Sequence, residues 1–316
     1  MKLKILPFLL VIPLTACQQT PALESKVFCF DTVVESKLYQ GNKSDLKEVE
    51  NIFKFYDAIS DNYQARDITN VYAINKTNNE IEIDPQLYEL LKVSVNVKNE
   101  GAKYFSPFCG SIAKEWKKSL KDLQILDENV KYAELYKIRD ASIIFKNDNK
   151  IERVGVAEID LGGIVKGYAL DIAKNYLDSK GISHYLLNAG SSSISIGEKK
   201  SKDGLFSVGL RDIENAYLKL KNCFVSTSGT SVQGVVIDGV TYSHIINPET
   251  GSAINNFDAV IVISDKGYYG DALSTSMMMN TIDEIKEIEQ EHNVKTIVVK
   301  DKKIIYQNSE LEVYYH

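Results

Sequence analysis

The chain of 316 residues is poor in several residue types that mark particular protein classes. It has four cysteines, four histidines, six prolines and one tryptophan. No apolar run reaches the roughly 18 residues of a membrane-spanning helix, so none is expected. The net charge of −6 gives no basic surface suited to nucleic acid. A chain of this length with 44% hydrophobic residues can bury a sizeable core, so we expect one large globular domain or two subdomains.

Three of the cysteines, Cys29, Cys109 and Cys223, follow no metal-ligand spacing. An exported protein could join two of them in one disulfide, but no pair suggests itself. We expect them to act as small buried hydrophobic residues.

The first residues read as a targeting signal. Lys2 and Lys4 precede the apolar run "ILPFLLVIPL", and small residues lead to Cys17. The stretch "LTAC" resembles the bacterial lipobox, which implies cleavage after Ala16 and acylation of Cys17; several acyl chains give a durable membrane anchor. The alternative is an ordinary secretory signal with an incidental cysteine. We expect a lipoprotein signal peptide at 1–16, a tether at 17–26 and one domain at 27–316, exported and held at the cell membrane.

The rest of the chain mixes helical and strand periods and shows no internal repeat or long linker, which predicts an α+β fold with a substantial antiparallel sheet. The predicted helices are 44–60 with Ser44 as N-cap, a helix beginning near Ile164 and closed by Gly181, and 270–292. The predicted strands and hairpins are 27–39, 141–154 with its turn at 147–149, 183–197, 206–210, 223–229, 234–246, 258–264 and 294–307.

The stretch "DLGGIVKGYALD" (160–171) combines an acid, two glycines and a lysine at the start of a helix. A helix N-terminus attracts phosphate, Lys166 adds a full positive charge, and glycines let a ligand approach the backbone. Asp160 suits a metal, a base or a sugar. The alternative is a plain strand–turn–helix junction with Asp160 as the helix cap.

The stretch "GDALSTS" (270–276) places Asp271 and Thr275 one turn apart on the same face of a helix. A carboxylate, a hydroxyl and a backbone carbonyl form an oxygen set suited to Mg²⁺. The alternative is Asp271 as an N-cap, with no function for Thr275.

The stretch "YSHIINPETG" (242–251) reads as a strand that ends in a turn, with His244 near the strand's end. A single histidine is often structural, but ordered turns frequently carry functional residues.

Together these motifs resemble the FAD:protein FMN transferases of the ApbE family, in the order "DLGGIVKGYALD", "LLNAG", "STSG", "HIINPETG" and "DALST". The resemblance extends over about 27–315, and it includes "FDT", "DAISDNYQARD" and "FSPFCGSIAKEW". It implies an ApbE-like α+β fold of largely antiparallel sheets with flanking helices, in two intimately packed subdomains.

The resemblance also implies roles for individual residues. Those implied to bind FAD are Phe30, Tyr63, Ser106, Asp160, Lys166, His244 and Ile245. Those implied to hold Mg²⁺ are Asp271, Thr275 and the backbone carbonyl of Gly163. His244 is the implied general base, and Lys166 and Asp271 are the other implied catalytic residues.

The implied reaction is Mg²⁺-dependent transfer of FMN from FAD to a threonine or serine hydroxyl of an exported acceptor flavoprotein, with release of AMP. Three positions depart from the family pattern: Ser111, Ser191 and Thr230. These changes leave two alternatives open, a Mg²⁺-dependent FAD pyrophosphatase that yields FMN and AMP, and a flavin-binding lipoprotein without turnover.

Overall fold

The computed structural model describes residues 22–230 and 234–316, which form an α+β fold of antiparallel sheets and helices. Its helices are α1 Lys43–Ser60, α2 Val71–Asn75, α3 Pro85–Asn96, α4 Gly110–Lys121, α5 Glu128–Arg139, α6 Val165–Ser179, α7 Gly267–Met277 and α8 Ile282–His292, with a 3₁₀ turn at Val97–Glu100. Its strands are β1 Leu23–Cys29, β2 Thr32–Leu38, β3 Ile81–Glu82, β4 Ser142–Phe145, β5 Lys150–Val154, β6 Tyr185–Ala189, β7 Ser193–Ile196, β8 Phe206–Gly209, β9 Ala216–Leu220, β10 Cys223–Gly229, β11 Val235–Ile237, β12 Val240–Tyr242, β13 Ala259–Ser264, β14 Lys295–Lys300, β15 Lys303–Gln307 and β16 Val313–Tyr315.

The main sheet has eight strands in the order β1-β2-β6-β7-β10-β13-β14-β15, and every neighbouring pair is antiparallel. Strand β13 lies inside the sheet, and all six of its residues are buried. Its residues alternate between two cores: Ala259 and Ile261 belong to one, and Val260 and Val262 to the other. Both faces of the sheet are therefore covered.

The larger core contains the helices, and the smaller core contains the three-stranded sheet β16-β9-β8. The two cores share the strands of the main sheet and lie on its opposite faces. Helix α7 packs on α6 and on strands β10 and β13, and its Asp271 accepts a hydrogen bond from Ser226 of β10.

The predicted single strand 27–39 is wrong, because the segment is the hairpin of β1 and β2. Phe30 and Asp31 form its two-residue turn with φ of 56° and 54°. A type I′ turn needs positive φ at both positions. The carboxylate of Asp57 compensates by accepting a hydrogen bond from the Phe30 N–H at 2.6 Å.

The predicted helix 270–292 is two helices, α7 and α8. Thr281 separates the two helices because it is the N-cap of α8. Its side chain accepts a hydrogen bond from the Glu284 N–H, and the Glu284 carboxylate accepts one from the Thr281 N–H. The predicted N-cap Ser44 is also wrong, since Asn42 caps α1 in a capping box with Asp45. The predicted hairpins at 141–154 and 294–307 are confirmed.

The segment 234–246 is a short hairpin of β11 and β12 rather than one strand, because Asp238 and Gly239 turn the chain with positive φ. His244 therefore follows the strand instead of lying in it. Strand β1 begins at Leu23, so ordered structure reaches into the predicted tether 17–26. Cys17 lies outside the described residues.

The three described cysteines form no disulfide with one another. Cys29 is buried, whereas Cys109 and Cys223 are only partly covered. Within 22–230 and 234–316, no helix has the length and apolar character that a bilayer crossing requires.

Candidate active site

A cavity of about 480 Å³ opens where the main sheet meets α6 and α7. Eight separate segments of the chain contribute to its wall: the β1–β2 turn, the loop before α4 with the start of that helix, the turn before α6 with its first residues, the β6–β7 turn, the loop after β8, the end of β10, the loop after β12, and α7. The sequence-predicted residues that line it are Phe30, Ser106, Asp160, Gly163, Lys166, His244, Ile245, Asp271 and Thr275.

Tyr63 is the one predicted site residue with a described side chain that the cavity lining does not include. Its ring is 54% exposed, and the ammonium groups of Lys114 and Lys117 lie over it at 5.1 and 5.3 Å. The carboxylate of Asp61 accepts from the Tyr63 N–H and fixes the loop in this outward turn. The role of Tyr63 beside the nucleotide therefore stays a prediction.

Asp160 lies at the turn before α6. Its Oδ1 accepts from the Gly162 N–H at 2.7 Å, which closes the turn. The N-cap of α6 is Ile164, which offers no side-chain cap, so Asp160 does not cap the helix. Lys166 in the first turn reaches back to the Gly162 carbonyl at 3.4 Å, which leaves its ammonium group at the cavity wall.

Asp271 is held by hydrogen bonds from three parts of the fold. Its Oδ1 accepts from the hydroxyls of Ser193 and Ser226 at 2.8 and 2.7 Å, and its Oδ2 accepts from the Gly167 N–H at 2.7 Å. Burial raises the pKa of Asp271, while Lys166 and these donors oppose the rise. The carboxylate is thus fixed by two strands and one helix, with one edge on the cavity.

Thr275 lies one turn beyond Asp271 on α7. Its Oγ1 and the Ser228 Oγ share a hydrogen bond at 3.1 Å, and Ser228 also lies 3.0 Å from the Ser274 Oγ. Gly163 packs against this group, because a Cβ built there would lie 3.7 Å from Thr275 Oγ1 and 3.1 Å from the ring of Phe105. The predicted ligands Gly163, Asp271 and Thr275 are therefore neighbours.

These residues fit a magnesium ion. A carboxylate has about four acceptor positions, and the three donors to Asp271 leave one on Oδ2. The described residues contain no cluster of three or more histidine, cysteine, aspartate or glutamate side chains that could hold a metal. Mg²⁺ often uses one or two carboxylates, with waters and substrate phosphates completing its shell. The carboxylate of Asp271 beside the neutral oxygens of Thr275 and Gly163 matches this type of Mg²⁺ coordination.

His244 borders the cavity on the loop after β12, where solvent reaches its ring although protein surrounds it. Burial lowers the pKa of His244, the charge of Lys166 lowers it further, and Asp160 acts in the opposite direction. A neutral imidazole at neutral pH can accept a proton, which is the requirement for a general base.

Sequence reasoning missed the serines that hold the predicted ligands, namely Ser193, Ser226 and Ser228. The signal was present, because Ser193 and Ser226 are buried polar residues in otherwise apolar strands. A buried hydroxyl requires a partner. It also missed Arg211, which follows β8 and adds a second positive charge to the cavity wall.

Comparison with known proteins agrees with the arrangement of motifs. The model of the ApbE family matches residues 30–298. Among curated relatives, the FAD:protein FMN transferase of Chlamydia pneumoniae is 23% identical over 92% of this chain and 95% of its own. The protein of that name from Vibrio cholerae is 33% identical over 38% of each chain. The one from Treponema pallidum is 25% identical over 62% of this chain and 60% of its own, so the matches to these last two span less than two thirds of those relatives.

Solved structures agree with the fold. The ApbE protein of Thermotoga maritima superposes with a TM-score of 0.78 at 22% identity, covering 92% of this chain and 97% of that one. The flavinyl transferase ApbE of Pseudomonas stutzeri gives a TM-score of 0.75 at 17% identity, covering 91% and 95%.

Proposed function

Because the chain belongs to the ApbE family, we propose that it transfers FMN from FAD to a threonine or serine hydroxyl of an acceptor protein and releases AMP. The observation that carries this proposal is the convergence of one basic, one acidic and one imidazole side chain on a single cavity. Lys166, Asp271 and His244 come from segments far apart in the sequence and line the same wall.

The cavity suits a dinucleotide. Lys166 and Arg211 provide two positive charges for a diphosphate. The backbone of the first turn of α6 contributes less than expected, because the Val165 N–H donates to the Leu161 carbonyl and the Gly167 N–H donates to Asp271. Phosphate attraction at this end therefore depends mainly on the Lys166 ammonium group.

Asp271, Thr275 and the Gly163 carbonyl would hold Mg²⁺ at the same wall. When bound, the ion would neutralise charge on the diphosphate oxygens.

The acceptor hydroxyl oxygen forms a bond to the FMN phosphorus, and the bond from that phosphorus to the bridging oxygen breaks. AMP leaves with the bridging oxygen, while His244 takes the hydroxyl proton. Lys166 stabilises the negative charge that gathers on the phosphoryl oxygens. The product is FMN joined to the acceptor by a phosphoester.

Hydrolysis of FAD to FMN and AMP is the second candidate. Ser191, one of the departures from the family pattern, follows the cavity-lining Gly190 and adopts φ of 60°, a conformation that favours glycine. A change at this wall alters the surface that an acceptor would meet, and water can then take the place of the acceptor hydroxyl.

Incubation of the protein with FAD, Mg²⁺ and a candidate acceptor tests the proposal. Covalently flavinylated acceptor with AMP supports transfer, and AMP with free FMN supports hydrolysis. Tight FAD retention without AMP supports flavin binding alone, which contradicts both enzyme activities.

Asp271→Ala is expected to abolish Mg²⁺-dependent AMP release, because it removes the only carboxylate of the proposed ligand set. AMP is measured by chromatography with and without Mg²⁺. The exposed Asp178→Ala on α6 serves as the control and should leave release unchanged. Unchanged release by the Asp271 variant would remove this residue from the mechanism.

We also propose that the protein is exported and lipid-anchored through Cys17. The basic, apolar and small-residue order of residues 1–17 supports this location.

A further inference from the structure

The expectation that the chain has no internal repeat misses one short repeat of six residues. "KGYALD" at 166–171 and "KGYYGD" at 266–271 share lysine, glycine, tyrosine and aspartate at the same spacing. The first copy begins α6 and the second begins α7. We therefore asked how the two copies meet.

The aspartate of each copy caps the helix of the other. The Gly167 N–H donates to Asp271 Oδ2 at 2.7 Å. The N–H groups of Gly267 and Tyr268 donate to the two carboxylate oxygens of Asp171, each at 2.8 Å. The N-cap residues themselves, Ile164 and Lys266, make no side-chain cap. Each helix start is thus satisfied by the neighbouring helix, and we name this arrangement the reciprocal cap.

The glycines allow the two helices to come close enough for these bonds. A Cβ on Gly167 would lie 2.1 Å from the Gly267 carbonyl oxygen, and one on Gly267 would lie 2.4 Å from the Gly167 carbonyl oxygen. Both distances are shorter than any real Cβ contact. The centroids of the Tyr168 and Tyr268 rings lie 6.3 Å apart. Equivalent residues of the two copies therefore contact each other, as they do at a two-fold interface.

The two halves differ in one respect. Asp271 also binds Ser193 and Ser226 and lines the cavity. Asp171 does not line the cavity, and its two oxygens face the first turn of α7. That turn precedes Asp271 and Thr275 on the same rigid helix.

We propose that Asp171 is a positioning residue, which fixes α7 on α6 so that Asp271 and Thr275 present their oxygens to Mg²⁺. The inference deepens the proposed function and rests on it. Loss of Asp171 frees the start of α7 while every proposed metal ligand stays in the chain. Mutation of residues that support metal ligands typically weakens metal binding ten- to a hundredfold.

The test compares Asp171→Ala with wild type by calorimetric titration of Mg²⁺ into the FAD-bound protein. We expect a weakening of Mg²⁺ binding by roughly tenfold, with FAD affinity in the absence of metal unchanged. Asp171→Asn retains one acceptor oxygen and should give an intermediate affinity. Asp178→Ala on the same helix is the matched control and should bind Mg²⁺ as wild type does.

Unchanged Mg²⁺ affinity in folded Asp171→Ala, judged by circular dichroism, would overturn the inference. If the alanine variant does not fold, wild-type affinity in Asp171→Asn overturns it equally. Wild-type protein that binds no Mg²⁺ with FAD would instead defeat the proposed function. The two failures are therefore distinguishable without measuring turnover.

Discussion

At the residue scale, Asp271 accepts hydrogen bonds from three elements with one carboxylate. It accepts from the first turn of α6 and from the serines of β7 and β10, and it still has an edge on the cavity. The i, i+4 spacing with Thr275 could be predicted from the sequence. The three donors could not, because they come from positions 45 to 104 residues away along the chain.

Replacement of His244 by alanine should lower the rate of FMN transfer by about 10²–10⁴-fold, the usual contribution of a general base. FAD affinity should change far less, because the proton transfer occurs only during reaction. Transfer rates and FAD binding by fluorescence quenching measure the two effects. His184→Ala is the control, since His184 bonds the Glu198 carbonyl away from the cavity. Equal losses of rate and affinity would make His244 a binding residue only.

The pH dependence of transfer should follow the neutral form of His244. Burial and Lys166 lower its pKa below 6.5, so the base stays neutral at pH 7 and kcat/KM should fall only under acidic conditions. The same lowered pKa means that the unfolded chain binds this proton more readily, so acidification below pH 6.5 also weakens the fold. A pH–rate profile and histidine NMR titration check this. Lys166→Met should raise the His244 pKa, and an acidic limb centred above pH 7 in wild type would contradict the assignment.

At the element scale, local turn chemistry explains which predictions succeeded. The hairpins at 141–154 and 294–307 carry Asp, Asn and Lys at turns with positive φ, and their strands flank those turns closely. The predictions of one strand at 27–39 and of one helix at 270–292 were wrong. In each segment the strand or helix propensity is continuous, and it concealed the turn that divides the segment into two elements. In the first, Phe30 adopts positive φ and donates its N–H to Asp57, a contact with a residue 27 positions away. In the second, Thr281 could have been recognised as a capping box with Glu284.

Gly167→Ala should destabilise the protein by about 1–3 kcal/mol or more, because the new methyl group would overlap the Gly267 carbonyl and push α6 and α7 apart. Chemical denaturation measures the free energy of unfolding. Gly209→Ala in β8 is the control, since nothing lies within 4 Å of a Cβ there. A Gly167 variant as stable as the Gly209 variant would show that the helices can separate at little cost.

At the scale of the whole molecule, the strand order was beyond sequence reasoning. The pairing of β2 with β6 joins Val34 to Ala189, and no local pattern specifies that partner. The mixed helical and strand periods predicted the α+β class, the family resemblance implied the ApbE-like architecture, and the superpositions confirm the fold. The covering of both faces of the main sheet explains why β13 is apolar from Ala259 to Ile263, where an alternating pattern would indicate one exposed face.

Cys17→Ser should release the protein from the membrane fraction, because the serine hydroxyl replaces the thiol that would carry the acyl group. Fractionation with immunodetection measures the distribution between membrane and soluble fractions. Cys29→Ser is the control and should stay with the membrane, since Cys29 lies within the folded domain. Retention of the Cys17 variant in the membrane would contradict lipid anchoring.

The reciprocal cap also sets an order of events during synthesis. A growing polypeptide that has not yet reached residue 267 has no partner for the glycine crossing on α6, and it lacks the aspartate that completes the first turn of that helix. The cavity therefore cannot be complete on a chain that ends before α7. A product that terminated before residue 267 would lack one wall of the cavity, together with Asp271 and Thr275.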